Sequence, residues 1–192
     1  PAGAVTTYSG RTLQNAAYIR SFIVDVDCRE RPGKAQLHYP NHEDAIRAIH
    51  AAASTVGLGK PWLVDSGGGV HAYWPVDRDL TPAQWVPIAR HFASAMRHAG
   101  LQFDVHLSSN AVCLLRPPGT RNSRYPNSVV STLQEGQVSE TVEFAKAVIQ
   151  YCKVNMVAPA GNASSLPAKT LLPQNYNQRH VLAIREDYTI AQ

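Results

Sequence analysis

Cysteine is scarce in this chain, and the three present, Cys28, Cys113 and Cys152, stand far apart with no C-x-x-C pair. That spacing excludes a disulfide framework and a zinc ribbon, and it suits a reducing compartment. Long apolar runs are missing as well. No stretch approaches the ~18 uninterrupted apolar residues of a membrane helix, and no signal-peptide pattern opens the chain, so a cytoplasmic protein without a membrane role is expected. There is no internal repeat, which excludes a solenoid. Charge is sparse too: 17% of residues are charged, and 18 Lys plus Arg against 14 Asp plus Glu leave a net +4, a mild excess compatible with a polyanionic partner. What remains is 44% apolar over 192 residues, enough for a full core in one domain of ordinary size.

Hydrophobic periodicity predicts alternating β and α elements. "SFIVDVDC" (21–28) reads as a buried strand, followed by the polar loop "RERPGKAQLHYPN". In "HEDAIRAIHAAASTVG", Ile46, Ile49, Ala53 and Val56 share a helical face, with Asn41 as N-cap and Gly57 as the stop. "PWLVDS" and "VHAYWPV" flank Gly67, Gly68 and Gly69 as a hairpin whose tip comes close to a ligand or another backbone. Thr81 and Pro82 open a helix carrying Trp85, Ile88, Ala89, Phe92, Met96 and Ala99, which Pro87 should kink or restart. "LQFDVHL", "AVCLLR" and "SVVSTLQ" read as strands, and "SETVEFAKAVIQYCK" as a last helix. Residues 1–155 thus form one domain. Residues 156–192 read as a tail or linker, with one further short element at 179–190.

Three stretches carry chemistry. Asp25 and Asp27 fall on one face of a strand, Val24, Val26 and Cys28 on the other. Adjacent carboxylates repel, and a divalent cation removes the repulsion; the plain alternative is that the strand ends at Asp25 and both acids are solvated. In "DSGGGVHAYW", Ser66, the amides of Gly67 and Gly68, and His71 can converge on phosphate oxygens, although such hairpins are often only turns. The third stretch brings Asp104 in a strand context and a loop with Arg116, Thr120, Arg121, Asn122 and Arg124 held by Pro117, Pro118 and Gly119. Arginine forks match phosphate oxygens, and an exposed basic loop is the plain alternative.

In this order, "GRTLQN" with "SFIVDVDC", "PWLVDSGGGVHAYWPV", "FDVH" and "LLRPPGTRN" make the chain from Gly10 to Arg124 resemble the archaeo-eukaryotic primase superfamily. The resemblance is to primase-polymerases of phages and plasmids. It implies an α/β (α+β) core with an RRM-like antiparallel palm sheet and an N-terminal α/β module. It also implies DNA-templated nucleotidyl transfer, with Asp25, Asp27 and Asp104 holding two Mg2+ or Mn2+ ions. Ser66, Gly67, Gly68, His71, Arg116, Asn122 and Arg124 become contacts to the nucleoside triphosphate. The implied partners are a DNA template and primer, met by Arg29, Arg31, Lys34 and Arg121, and a helicase or replication region on the same or a separate chain.

One departure is that Asn110 stands where relatives often carry a second acid before the R-x-P-G-T element, leaving Asp104, with His106 as a weaker candidate. Since the chain opens on Pro1 rather than Met, it reads as a catalytic core cut from a longer protein. Two other functions use similar residues. A non-catalytic origin-binding module would not need both aspartates with His71, and a metal-dependent nuclease would have no use for a triphosphate cradle.

Overall fold

Phe22, Val24 and Val26 alternate with Asp25 and Asp27, and this period of two sorts apolar from acidic side chains across β1 (Ile19–Asp27). The computed structural model describes residues 12–28, 39–125 and 128–161. A short 3-10 turn (Leu13–Asn15) precedes β1. After it come α1 (His42–Val56), β2 (Trp62–Asp65), β3 (Gly69–Leu80), α2 (Pro82–His98), α3 (Val105–Ser108), β4 (Ser131–Gln134) and α4 (Thr141–Val154). The four strands make one antiparallel sheet in the order β1-β3-β2-β4.

One face of the sheet makes the core. Phe22, Val24, Val26, Val70, Ala72 and Trp74 are fully buried there. Phe22 stacks on Trp85 of α2 and Phe144 of α4, at 5.6 and 4.5 Å between ring centroids, and Phe92 meets Trp74 edge-on. Each such ring pair contributes about 0.5–1.5 kcal/mol beyond its buried area. The indoles are also anchored by polar bonds: Trp74 Nε1 donates to Gly59 O and Trp85 Nε1 to Ser21 O. Helices on one face leave the other for Asp25, Asp27, His71 and Tyr73.

The helix ends follow from their caps. Asn41 accepts from Asp44 N at the start of α1, and Gly57 closes it with φ of 81°. Thr81 and Gln84 form a capping box on α2. The start of α4 is unusual, since Glu140 makes no side-chain cap and Asp77, at the far end of β3, accepts from both Thr141 N (2.8 Å) and Thr141 Oγ1 (2.6 Å).

Several expectations need correction. α2 runs through Pro87 without a restart; burial of Trp85, Ile88, Ala89 and Phe92 on both sides of the proline outweighs the one lost backbone bond. "LQFDVHL" and "AVCLLR" are not strands. Asp104 instead N-caps the short α3, and its own N–H donates to Asp25 O along the outer edge of β1. Past α4, Val157 N donates to Cys152 O and Ala160 N to Arg90 O, and the compact unit runs to Ala160. Residues 1–11, the loop carrying Arg29, Arg31 and Lys34, and the element expected at 179–190 lie outside the described residues. Among the described helices, none is long and apolar enough to cross a membrane.

Candidate active site

The register of β1 on β3 sets Asp25 opposite His71 and Asp27 opposite Gly69. His71 is buried, and its Nε2 lies 3.6 Å from Asp25 Oδ1. Its Nδ1 lies 3.3 Å from the hydroxyl of Tyr73, the next residue on the same face of β3. Glycine at 69 is needed for this pairing, because a Cβ there would overlap the Val26 carbonyl and crowd Asp27 Cα. The Asp25 carboxylate makes its surroundings negative. Burial, with Asp25 adding to it, pushes the Tyr73 hydroxyl up to about 12 and the Cys113 thiol up to about 11, so both stay protonated at neutral pH.

The hairpin turn between β2 and β3 is built mostly from its own polar groups. Asp65 Oδ1 accepts from Gly67 N at 2.6 Å and faces His42 Nε2 at 3.2 Å. Ser66 N and Ser66 Oγ both donate to Gly69 O. Two donors of the expected cradle, the Gly67 amide and the Ser66 hydroxyl, thus hold the turn itself. Gly67, with φ of 84°, supplies the left-handed corner, and Gly68 faces Tyr125.

The arginine loop is a second turn locked to the first. Thr120 N and Oγ1 both donate to Pro117 O, and Gly119 N and Val130 N tie the turn to its return strand. Asn122, 3% exposed, donates from Nδ2 to Ser66 O at 2.7 Å and accepts from Arg124 N at 3.1 Å. It thus joins the glycine turn to the arginine loop.

Between these parts opens a cleft of ≈ 260 Å³. Of the sequence-predicted residues it gathers Asp25, Ser66, Gly68, His71, Arg116, Asn122 and Arg124. Leu107, Leu114, Leu115 and Tyr125 complete the lining. Asp27, 7% exposed, and Gly67 do not line it. Nor does Asp104, whose Oδ1 accepts from His106 N and Leu107 N; His106 itself is exposed. Among the described residues no three Asp, Glu, His or Cys side chains gather as a metal-binding group. Of the three carboxylates expected at the metals, Asp25 thus lines the cleft, Asp27 stands two residues away on the same strand face, about 6.6 Å along the strand, and Asp104 caps α3. That donor set still fits Mg2+ or Mn2+, since Mg2+ is commonly held by one or two carboxylates with substrate phosphates and water filling its other positions.

Sequence reading missed two residues here. Tyr73 was legible only as a strand residue, although its i, i+2 spacing from His71 places both on one face. Asp65 carried a signal, an aspartate just before a Ser-Gly turn.

A scan of protein-family models and a search of curated proteins each find no match. Among solved structures, the chain is similar to the AEP domain of the primase-polymerase (PrimPol) of cyanophage S-2L. The TM-score is 0.51 and the identity 13%, over 72% of this chain and 65% of that one. The chain thus spans less than two thirds of the phage domain. At this identity the likeness establishes the fold: a mixed α+β chain with an antiparallel sheet, shared with a primase-polymerase AEP domain.

Proposed function

We propose that this chain is a nucleotidyltransferase core of the primase-polymerase type, adding nucleotides to a DNA primer or starting one on a DNA template. The observation that carries the reading is the pairing of opposite charges in one cleft. Asp25 stands on the sheet floor, and Arg116 and Arg124 stand on the loop wall, with His71 beside Asp25. A nucleoside triphosphate bound with a divalent cation presents the matching pattern, cation toward carboxylate and phosphate oxygens toward guanidinium groups. The fold shared with a phage primase-polymerase domain supports the same reading.

Asp25 and Asp27 would hold Mg2+ or Mn2+, which supplies neutralisation of triphosphate charge and a more acidic attacking hydroxyl. Arg116 and Arg124 orient the phosphates, with Arg116 able to grip two oxygens at once. His71 donates from Nε2 to a phosphate oxygen beside Asp25. Asn122 keeps the glycine turn and the arginine loop at fixed separation, so these donors need little rearrangement when substrate arrives. The aliphatic side chains of Leu114 and Leu115 offer no base-reading groups, which leaves base choice to the template. Exposed Arg121 adds a phosphate contact for DNA, a sequence-independent term.

The two arginines that line the cleft together with Asp25 suit the several phosphates of a nucleoside triphosphate better than the single phosphodiester of a nuclease substrate. The experiment that tests the proposal is extension of a labelled primer on a DNA template with ribo- or deoxyribonucleotides in Mg2+ or Mn2+, with a primer-free lane. Metal-dependent, template-directed products are expected; strand shortening without extension would install the nuclease, and sequence-selective duplex binding without extension the origin-binding module.

A further inference from the structure

We propose that Leu114 is the seat of the nucleobase, an apolar side chain held bare at the rim of the cleft that packs on whichever base the triphosphate carries. The inference deepens the nucleotidyl-transfer reading and rests on it. Leu114 is 72% exposed, and among the described large apolar residues only Met156, beyond α4, is more so. Of these exposed residues Leu114 alone lines the cleft. Single apolar side chains on an open surface are ordinary. One that lines the same cleft as Arg116, Arg124 and Asp25 is placed for a ligand with both an apolar and a charged part.

The chain arranges this locally. Asn110 folds the backbone over after α3, accepting from Cys113 N at its carbonyl (3.2 Å) and from Val112 N at Oδ1 (3.1 Å). Leu114 follows that turn, and Arg116 stands two residues further on, so their Cα atoms are at most about 7 Å apart. Phosphates gripped by Arg116 therefore bring the attached sugar and base within reach of Leu114. The half-buried Leu107 and Leu115 extend the apolar lining. Tyr125 stands differently, since its ring packs on Gly68 with no room between them for a methyl group. It is a fixed wall, whereas most of Leu114 is left for a ligand to cover.

A leucine has no donor or acceptor with which to tell one base edge from another, and every base offers a flat face. Contact area then sets the gain, larger for purines than for pyrimidines and alike for adenine and guanine.

The test is calorimetric titration of the full chain in Mg2+ with each of the ribo- and deoxyribonucleoside triphosphates, and with inorganic tripolyphosphate, which carries the anion without the nucleoside. Leu114→Ala should weaken binding of every nucleotide, purines about tenfold, the worth of roughly two buried methylenes. Adenine and guanine nucleotides should lose equal factors, while tripolyphosphate affinity and the urea midpoint stay unchanged. Leu114→Met restores apolar volume and should recover most of the loss. Unchanged nucleotide affinity in Leu114→Ala overturns the proposal and leaves the nucleotidyl-transfer reading standing. An equal loss for tripolyphosphate also overturns it, because Leu114 would then act through the arginine loop, and so does a loss confined to one base. A wild-type chain that binds neither nucleotides nor tripolyphosphate brings down the nucleotidyl-transfer reading and the proposal with it.

Discussion

Replacing Asn122 by Ala distinguishes the strut seen in the structure from the nucleotide contact that sequence motifs imply. The side chain is 3% exposed, so its two bonds are exchanged for water only with difficulty. Loss of Nδ2 takes a donor from the buried Ser66 carbonyl, at a cost of about 1–3 kcal/mol. Loss of Oδ1 costs less, about 0.5–1.5 kcal/mol, since Arg124 is exposed and its amide can turn to water. The sum centres near 3 kcal/mol. With a urea dependence of about 2 kcal/mol per molar, the unfolding midpoint should fall by about 1.5 M in the absence of any nucleotide. Asn122→Asp should be no better than Ala, because it keeps the acceptor for Arg124 but turns a second oxygen on the Ser66 carbonyl. Urea titration followed by tryptophan fluorescence reads both variants. An unchanged midpoint in Asn122→Ala, together with weakened nucleotide binding, would refute the strut and restore the contact.

Three other perturbations follow from the same structure. Burial pushes the Asp77 carboxyl up, but the hydrogen bonds from Thr141 outweigh it and hold the pKa below its ordinary value; the stabilisation is therefore complete above that ordinary value and lost as pH falls through the folded one. Asp77→Ala should cost about 1 kcal/mol at neutral pH, as for a lost helix cap, and the gap to wild type should close in strong acid when urea midpoints are compared. Gly69→Ala should destabilise by about 3 kcal/mol or more, because its Cβ meets strand backbone rather than a movable side chain; a variant with wild-type solubility and midpoint would contradict the β1–β3 register. Arg116→Ala should weaken nucleotide binding by about 1.5–3 kcal/mol, as measured by calorimetric titration, while leaving unfolding unchanged, since Arg116 lines the cleft.

Much of the scaffold is legible in the sequence because its signals are local. Asn41 with Gly57, and Thr81 with Gln84, mark helix ends within one turn of the residues they cap. The glycine hairpin and the face shared by Asp25 and Asp27 follow from a period of two. What resists reading is non-local. "LQFDVHL" alternates like a strand, yet Asp104 captures the amides of His106 and Leu107 and turns the chain into α3, a choice that a short apolar run does not reveal. Nothing near Thr141 announces that its cap comes from Asp77, 64 residues earlier. Asn122 fits a phosphate-binding motif, and only the approach of Ser66, 56 residues away, shows where its amide is spent. Pro87 misleads in the opposite direction, because the energy that keeps α2 continuous lies in its packing on Phe22 and Trp74 and not in its own sequence.

The central claim is that Asp25 is the cleft carboxylate that answers a divalent cation, whereas Asp104 is a helix cap. Asparagine caps helices as well as aspartate but carries no charge for a metal. Primer extension in Mg2+ and Mn2+ should therefore be reduced by at least about a hundredfold in Asp25→Asn and should stay within a few-fold of wild type in Asp104→Asn, with both variants folded. Extension by Asp25→Asn at near wild-type rate, or its loss in Asp104→Asn alone, would contradict the account.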